Sequence, residues 1–147
     1  MRIVLLLFLL ICFLSLPVAF AQENYVANYH KGLKYAEQGK YDEAISEFSR
    51  DIELQPMDPE NYYNRAHAYF DKNDYDHAIL DYTKAIEVAP NDSDSYCNRG
   101  LAYKAKGNYD LAISDFTKAI EINSNDSIAY ENRASVYKLK GERSGYY

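Results

Sequence analysis

The stretch YCNRGLAYKAKGNYDLAISDFTKAIEI, residues Tyr96 to Ile122, is written into the chain more than once. It recurs 34 positions earlier as YYNRAHAYFDKNDYDHAILDYTKAIEV, Tyr62 to Val88. A looser copy, NYHKGLKYAEQGKYDEAISEFSRDIEL, runs from Asn28 to Leu54, and half a copy, YENRASVYKLKGE, from Tyr130 to Glu142. A period of this length marks stacked supersecondary units, each too thin to bury its own apolar face.

Within a copy the apolar spacing implies helix, tight turn, helix. Tyr96, Gly100 and Tyr103 share one face at i, i+4, i+7, and Ala112, Phe116, Ala119 and Ile120 share a face of the next segment. Gly107-Asn108 lies between them, where a turn is needed. Gly100 and Ala112 are small enough to let two helices approach, with larger rings filling the space beside them. Ala66 and Ala78 hold these slots in copy two, Gly32 and Ala44 in copy one. Pro56 and Pro90 stand where second helices must end. The period also explains most of the 16 tyrosines: Tyr35, Tyr69, Tyr103 and Tyr137 share one slot, and Tyr41, Tyr75 and Tyr109 another. The expected fold is all-α, a solenoid of antiparallel helix hairpins. The expected repeats are about 25–58, 59–92 and 93–126, with a capping helix at 127–141 and a tail at 142–147.

These residues resemble the tetratricopeptide repeat family. Copy two carries its aromatic, small, tyrosine, alanine, aromatic, alanine, proline signature as Tyr62, Ala66, Tyr69, Ala78, Tyr82, Ala85 and Pro90. Copy three departs at Ser124, and copy one at Asn28 and Asp51. The resemblance implies a right-handed superhelix whose concave face binds peptides or protein surfaces. On that face it implies the slots Tyr29, His30 and Leu33; Tyr63, Asn64, His67 and Phe70; Cys97, Asn98, Leu101 and Lys104; and Glu131, Asn132, Ser135 and Lys138. Tyr29, Tyr63 and Phe70 are the expected apolar anchors, with Asn64, Asn98 and Asn132 an asparagine ladder for an extended peptide. Three net hydrogen bonds of about 0.5–1.5 kcal/mol each reach only about millimolar affinity, so the anchors are required. Members that clamp the C-terminal carboxylate of chaperones use basic and asparagine residues. Those slots here read Tyr29, Leu33, Asn64, Asp94 and Asn98, of which only Asn64 fits.

One slot departs from the family throughout. Where leucine is common before the small residue, this chain has Lys31, Arg65, Arg99 and Arg133. Sixteen residues later come Glu47, Asp81 and Asp115, which predicts the ion pairs Arg65–Asp81, Arg99–Asp115 and a weaker Lys31–Glu47. As exposed pairs these would contribute about 0–1 kcal/mol each and serve helix register.

Residues 1–21 read as an address. Met1-Arg2 precedes the apolar run Ile3–Leu14, and Pro17 precedes Ala19-Phe20-Ala21, the pattern a signal peptidase cuts. The mature chain is then expected from 22, periplasmic or secreted; the alternative is an uncleaved anchor at residues 3–21. The formal net charge of -6 and the lack of a basic run argue against nucleic acid. Cys12 and Cys97 make no disulfide framework. His30, His67 and His77 lack metal-ligand spacing, and neither a nucleophile elbow nor a phosphate loop is present. The expectation is a non-enzymatic adaptor without cofactor or metal that binds a protein or peptide. The rival is an assembly piece acting through its ends. Val136, Leu139 and the terminal tyrosines are expected to form an apolar C-terminal edge that mediates self-association or receives another helix.

Overall fold

The structure is a computed structural model, and it describes residues 27–144 with side chains through Gly141. The segment 1–21, with its leader or anchor reading, lies outside the described residues. Helix α1 is described over 27–37. It is followed by α2 (Tyr41–Leu54), α3 (Pro59–Asp71), α4 (Tyr75–Val88), α5 (Ser93–Ala105), α6 (Tyr109–Ile122) and α7 (Ser127–Ser144). Among the described residues there is no strand. The final helix runs to Ser144 rather than ending at 141.

Local chemistry sets these boundaries. Asp58, Asp92 and Asp126 recur every 34 residues, and each carboxylate accepts a backbone N–H from the first turn of α3, α5 or α7. Pro59 follows as the first residue of α3, where its missing N–H is harmless. Each first helix of a hairpin ends in a residue at positive φ: Gly39 at 72°, Asn73 at 65° and Gly107 at 75°. The residue after it donates to the carbonyl of Tyr35, Tyr69 or Tyr103, which closes the helix end and reverses the chain.

The core is a row of clusters along the solenoid. Phe48 and Ala44 pack with Ala68, Tyr82 with Ala66 and Ala78, and Phe116 with Ala112, Ala119, Ala129 and Val136. Phe48 and Phe116 are fully buried, each stabilising by about 1.5–3 kcal/mol. The small slot is small because the rings lie against it. A Cβ on Gly32 would sit 2.6 Å from Phe48 Cε1, and one on Gly100 2.9 Å from Phe116 Cε1. Each of α2 to α6 packs on the helix that follows it. In addition α3 touches α5 and α5 touches α7, whereas α2, α4 and α6 do not reach one another. The stack therefore curves toward α3, α5 and α7, which line its concave side.

Two expectations about α7 and the inner face need correction. Val136 is fully buried in the cluster around Phe116, so it is not part of an open edge. Cys97 is buried in the same cluster rather than displayed in the groove.

Candidate functional site: the concave face

The arginine slot builds the wall behind the concave face. Arg65 grips Asp81 with Nε at 2.7 Å and Nη2 at 2.8 Å, and Arg99 grips Asp115 with both nitrogens at 2.8 Å. Lys31 is paired with Glu47, which Arg50 also holds at 2.9 Å. These pairs are not the exposed contacts expected from spacing alone: Asp81 and Asp115 are 6% and 5% exposed. A bidentate fork is what makes a carboxylate tolerable at such depth.

Each fork has a further arm. Arg65 Nη1 donates to Ser49 Oγ at 3.0 Å and Arg99 Nη1 to Thr83 Oγ1 at 3.0 Å. Arg133 Nη1 donates to Thr117 Oγ1 at 3.2 Å. The hydroxyls in turn donate to the carbonyls of Ile45, Ile79 and Ile113. One guanidinium thus ties its own hairpin and stitches it to the preceding one. Sequence reasoning missed this arm, although Ser49, Thr83 and Thr117 recur at the repeat period. An outer ladder runs in parallel: Lys72 to Asp42 at 2.6 Å, Lys106 to Asp76, and Lys140 to Asp110.

The candidate ligand residues divide into two groups. Tyr63, Phe70 and Leu101 are half-buried and pack on core clusters, which leaves each with part of its surface open. The Tyr63 ring lies 5.7 Å from that of Tyr82, and Phe70 lies 5.4 Å from Tyr75. Tyr29, Asn98 and Asn132 are partly exposed, and His67 is exposed beside Asp71 at 3.4 Å.

The asparagines are already engaged across the inner face. Asn98 Nδ2 donates to Asp94 O at 2.9 Å and to Tyr63 OH at 3.1 Å. Asn132 Nδ2 donates to Ile128 O at 3.0 Å, and its Oδ1 accepts from Lys104 at 3.1 Å. Tyr29 and Asn64 stand one repeat earlier in the Tyr63–Asn98 relation. Burial, then Glu60, raises the Tyr29 hydroxyl pKa with Asn64 opposing, and the buried Asn64 Nδ2 makes no hydrogen bond. Tyr29 OH instead donates to Glu60 Oε1 at 2.5 Å. The Asn98 amide nitrogen is thus engaged within the chain.

A cleft of about 280 Å³ opens where α3 begins and α4 turns into α5, lined by Pro59, Glu60, Tyr63, Ala89, Asp92 and Asp94. Tyr63 alone among the candidate ligand residues lines it. The acids stand there because α3 and α5 start with capping and first-turn carboxylates, a recurrence visible in Asp58/Glu60 and Asp92/Asp94. Burial, then the charges of Asp94 and Asp92, push the Tyr63 hydroxyl up to about 12. Burial, then Asp92 and Asp126, also raise the Asp94 carboxyl. The Cys97 thiol is pushed up to about 11 by burial first, then Asp126 and Asp94, which suppresses the thiolate a nucleophile requires. Among the described residues no three His, Cys, Asp or Glu side chains gather as a metal would need. None of the described helices is long and apolar enough to cross a membrane.

Repeated hairpins curved around an inner helix row define an α-solenoid of the helical-repeat class. Family models sharpen this: Tetratricopeptide repeat matches residues 93–126, and TPR repeat matches 32–71 and 66–107. The chain belongs to the tetratricopeptide repeat family. Its fold is similar to that of the first TPR domain of human RPAP3, with TM-score 0.78 and 28% identity over 84% of this chain and 97% of that one. The first TPR of Spaghetti (RPAP3), bound to the HSP90 peptide SRMEEVD, has TM-score 0.78 and 28% identity, covering 81% and 94%. The TPR2B domain of yeast Sti1, in a complex with pHsp70, has TM-score 0.73 and 26% identity, covering 82% and 98%. No curated protein matches the chain in sequence.

Proposed function

We propose that this chain is a non-enzymatic interaction module that holds an extended peptide or protein segment against α1, α3, α5 and α7. It works outside the cytosol, on the reading of residues 1–21 as an export leader. The observation that carries the proposal is the partly exposed polar row Tyr29, Asn98 and Asn132 facing one hollow. Its hydrogen bonds cross from helix to helix, Asn98 to Tyr63 and Lys104 to Asn132, so the row is held in place before any ligand arrives. Similar domains bound to HSP90 or Hsp70 partners support it by likeness.

The test uses immobilised pools of degenerate nonapeptides and the purified mature chain. The triple variant Tyr29→Ala/His67→Ala/Asn98→Ala is expected to lose most of the retained protein while keeping its circular dichroism. Leu80→Ser/Leu111→Ser, on exposed sites of α4 and α6, is expected to leave retention unchanged. Undiminished retention of the concave-face variant overturns the reading.

A second reading has its own observation. Tyr137 is 55% exposed, whereas Tyr35, Tyr69 and Tyr103 in the same slot are half-buried beneath a following helix. The open side of α7 is a seat for a second copy or another helix. Light scattering should then show a concentration-dependent dimer that Tyr137→Ser abolishes; a strict monomer at high concentration rejects self-association.

A further inference from the structure

This inference rests on the groove reading and names what sits in one part of it. We propose that the cleft between α3 and the α4–α5 turn receives a lysine or arginine side chain of the bound peptide, with the aliphatic stem along Tyr63, Pro59 and Ala89 and the charged head among Glu60, Asp92 and Asp94. Its volume of about 280 Å³ lies just below the range of small-molecule sites, about 300–1,000 Å³. That is room for one long side chain with some water. An apolar wall ending in an acidic rim matches a side chain that is apolar along its stem and cationic at its tip. The Tyr63 ring adds a face that attracts cations.

Charge decides the sign of the occupant. The starts of α3 and α5 each contribute about half a positive charge, but three whole carboxylates stand against them. The helix starts are also already capped, by Asp58 at 3.0 Å and Asp92 at 3.2 Å. Among the described residues no lysine or arginine lines the cleft. Among the described residues Glu60 accepts a neutral hydroxyl, that of Tyr29. Burial comes first in the upward shifts of Tyr63 and Asp94, and the neighbouring carboxylates push the same way. An acidic tail such as SRMEEVD, bound by the Spaghetti (RPAP3) domain, would meet repulsion here.

Three degenerate nonapeptide pools test this, identical except for a fixed central lysine, norleucine or glutamate. The wild-type chain is expected to favour the lysine pool over norleucine by about ten-fold, with glutamate weakest and added salt narrowing the gap. Glu60→Gln/Asp92→Asn/Asp94→Asn should erase the lysine preference and retain norleucine binding; asparagine at 92 preserves the cap. If that variant does not fold, Glu60→Gln/Asp94→Asn leaves the cap untouched and should cut the preference by more than half. Equal retention of lysine and norleucine pools, or preference for glutamate, overturns the cationic occupant while the groove reading stands. A lysine preference unchanged in a folded variant overturns the cleft as its seat. Retention of no pool by folded protein overturns both readings.

Discussion

The first and third hairpins fill equivalent positions with different chemistry. Where the third has Tyr96, Arg99 and Ala119, the first has Asn28, Lys31 and Asp51. Arg99 forks onto a buried carboxylate and reaches Thr83 in the preceding hairpin. Lys31 offers one ammonium to Glu47, with about half its side chain in water, 49% exposed. Ala119 packs fully buried against its cluster, whereas Asp51, just as buried, has neither carboxylate oxygen hydrogen-bonded. One backbone plan thus carries unequal cohesion. Stability in a solenoid is a sum of units and their interfaces, so the first hairpin is expected to open before the third.

The largest way to probe that contrast is to remove the cation from each hairpin. Arg99→Ala leaves Asp115 charged and buried, and should cost about 3–5 kcal/mol in urea unfolding. Lys31→Ala should cost about 1 kcal/mol or less, because Arg50 still holds Glu47. Equal losses would break the comparison.

Asp51 comes next and acts in the opposite direction. Burial lifts its carboxyl from 3.8 to about 6, with Glu47 and Asp58 pushing the same way and Asn28 opposing. A folded pKa above the unfolded one means the charged form is disfavoured by folding. Stability is then fullest below about pH 4, falls as pH rises toward 6, and stays reduced above it. Asp51→Asn should gain about 1–3 kcal/mol at pH 7 and nothing at pH 4. Thermal melts across that window check it, and a gain independent of pH contradicts the buried-charge account.

The smallest effects sharpen the difference between the two ladders that join hairpins. Thr83→Val removes the hydroxyl that Arg99 reaches but spares Asp115, and should cost about 1 kcal/mol. Lys106→Ala, opening a pair in which Asp76 is 75% exposed, should stay within about 0.5 kcal/mol. A reversal of that order in chemical denaturation would make the outer ladder the stronger join.

Much of the fold is readable from residue types at fixed intervals. Gly32, Ala66 and Gly100 announce close helix crossings, because a ring from the paired helix occupies the space a larger residue would need. The sixteen-residue offset between Arg65 and Asp81 spans a single hairpin, within reach of a local argument. The arm from Arg65 to Ser49 was not readable, since it depends on which helix of the preceding hairpin lies opposite. Cys97 and Val136 were misjudged for a related reason. Their slots face the following or preceding hairpin, and the rotation between hairpins turns them inward.

What the sequence by itself determined is the unit: two amphipathic segments, a turn at Gly107-Asn108, and a 34-residue rhythm that obliges units to stack. Only the tertiary structure decided the hollow. Glu60 and Asp94 are helix-start acids of separate hairpins, and nothing in their spacing places them around one cleft with Tyr63. Periodicity records which face of each helix is apolar, a local property. Curvature is the accumulated tilt between hairpins, and it arises from the way side chains of neighbouring units fit together.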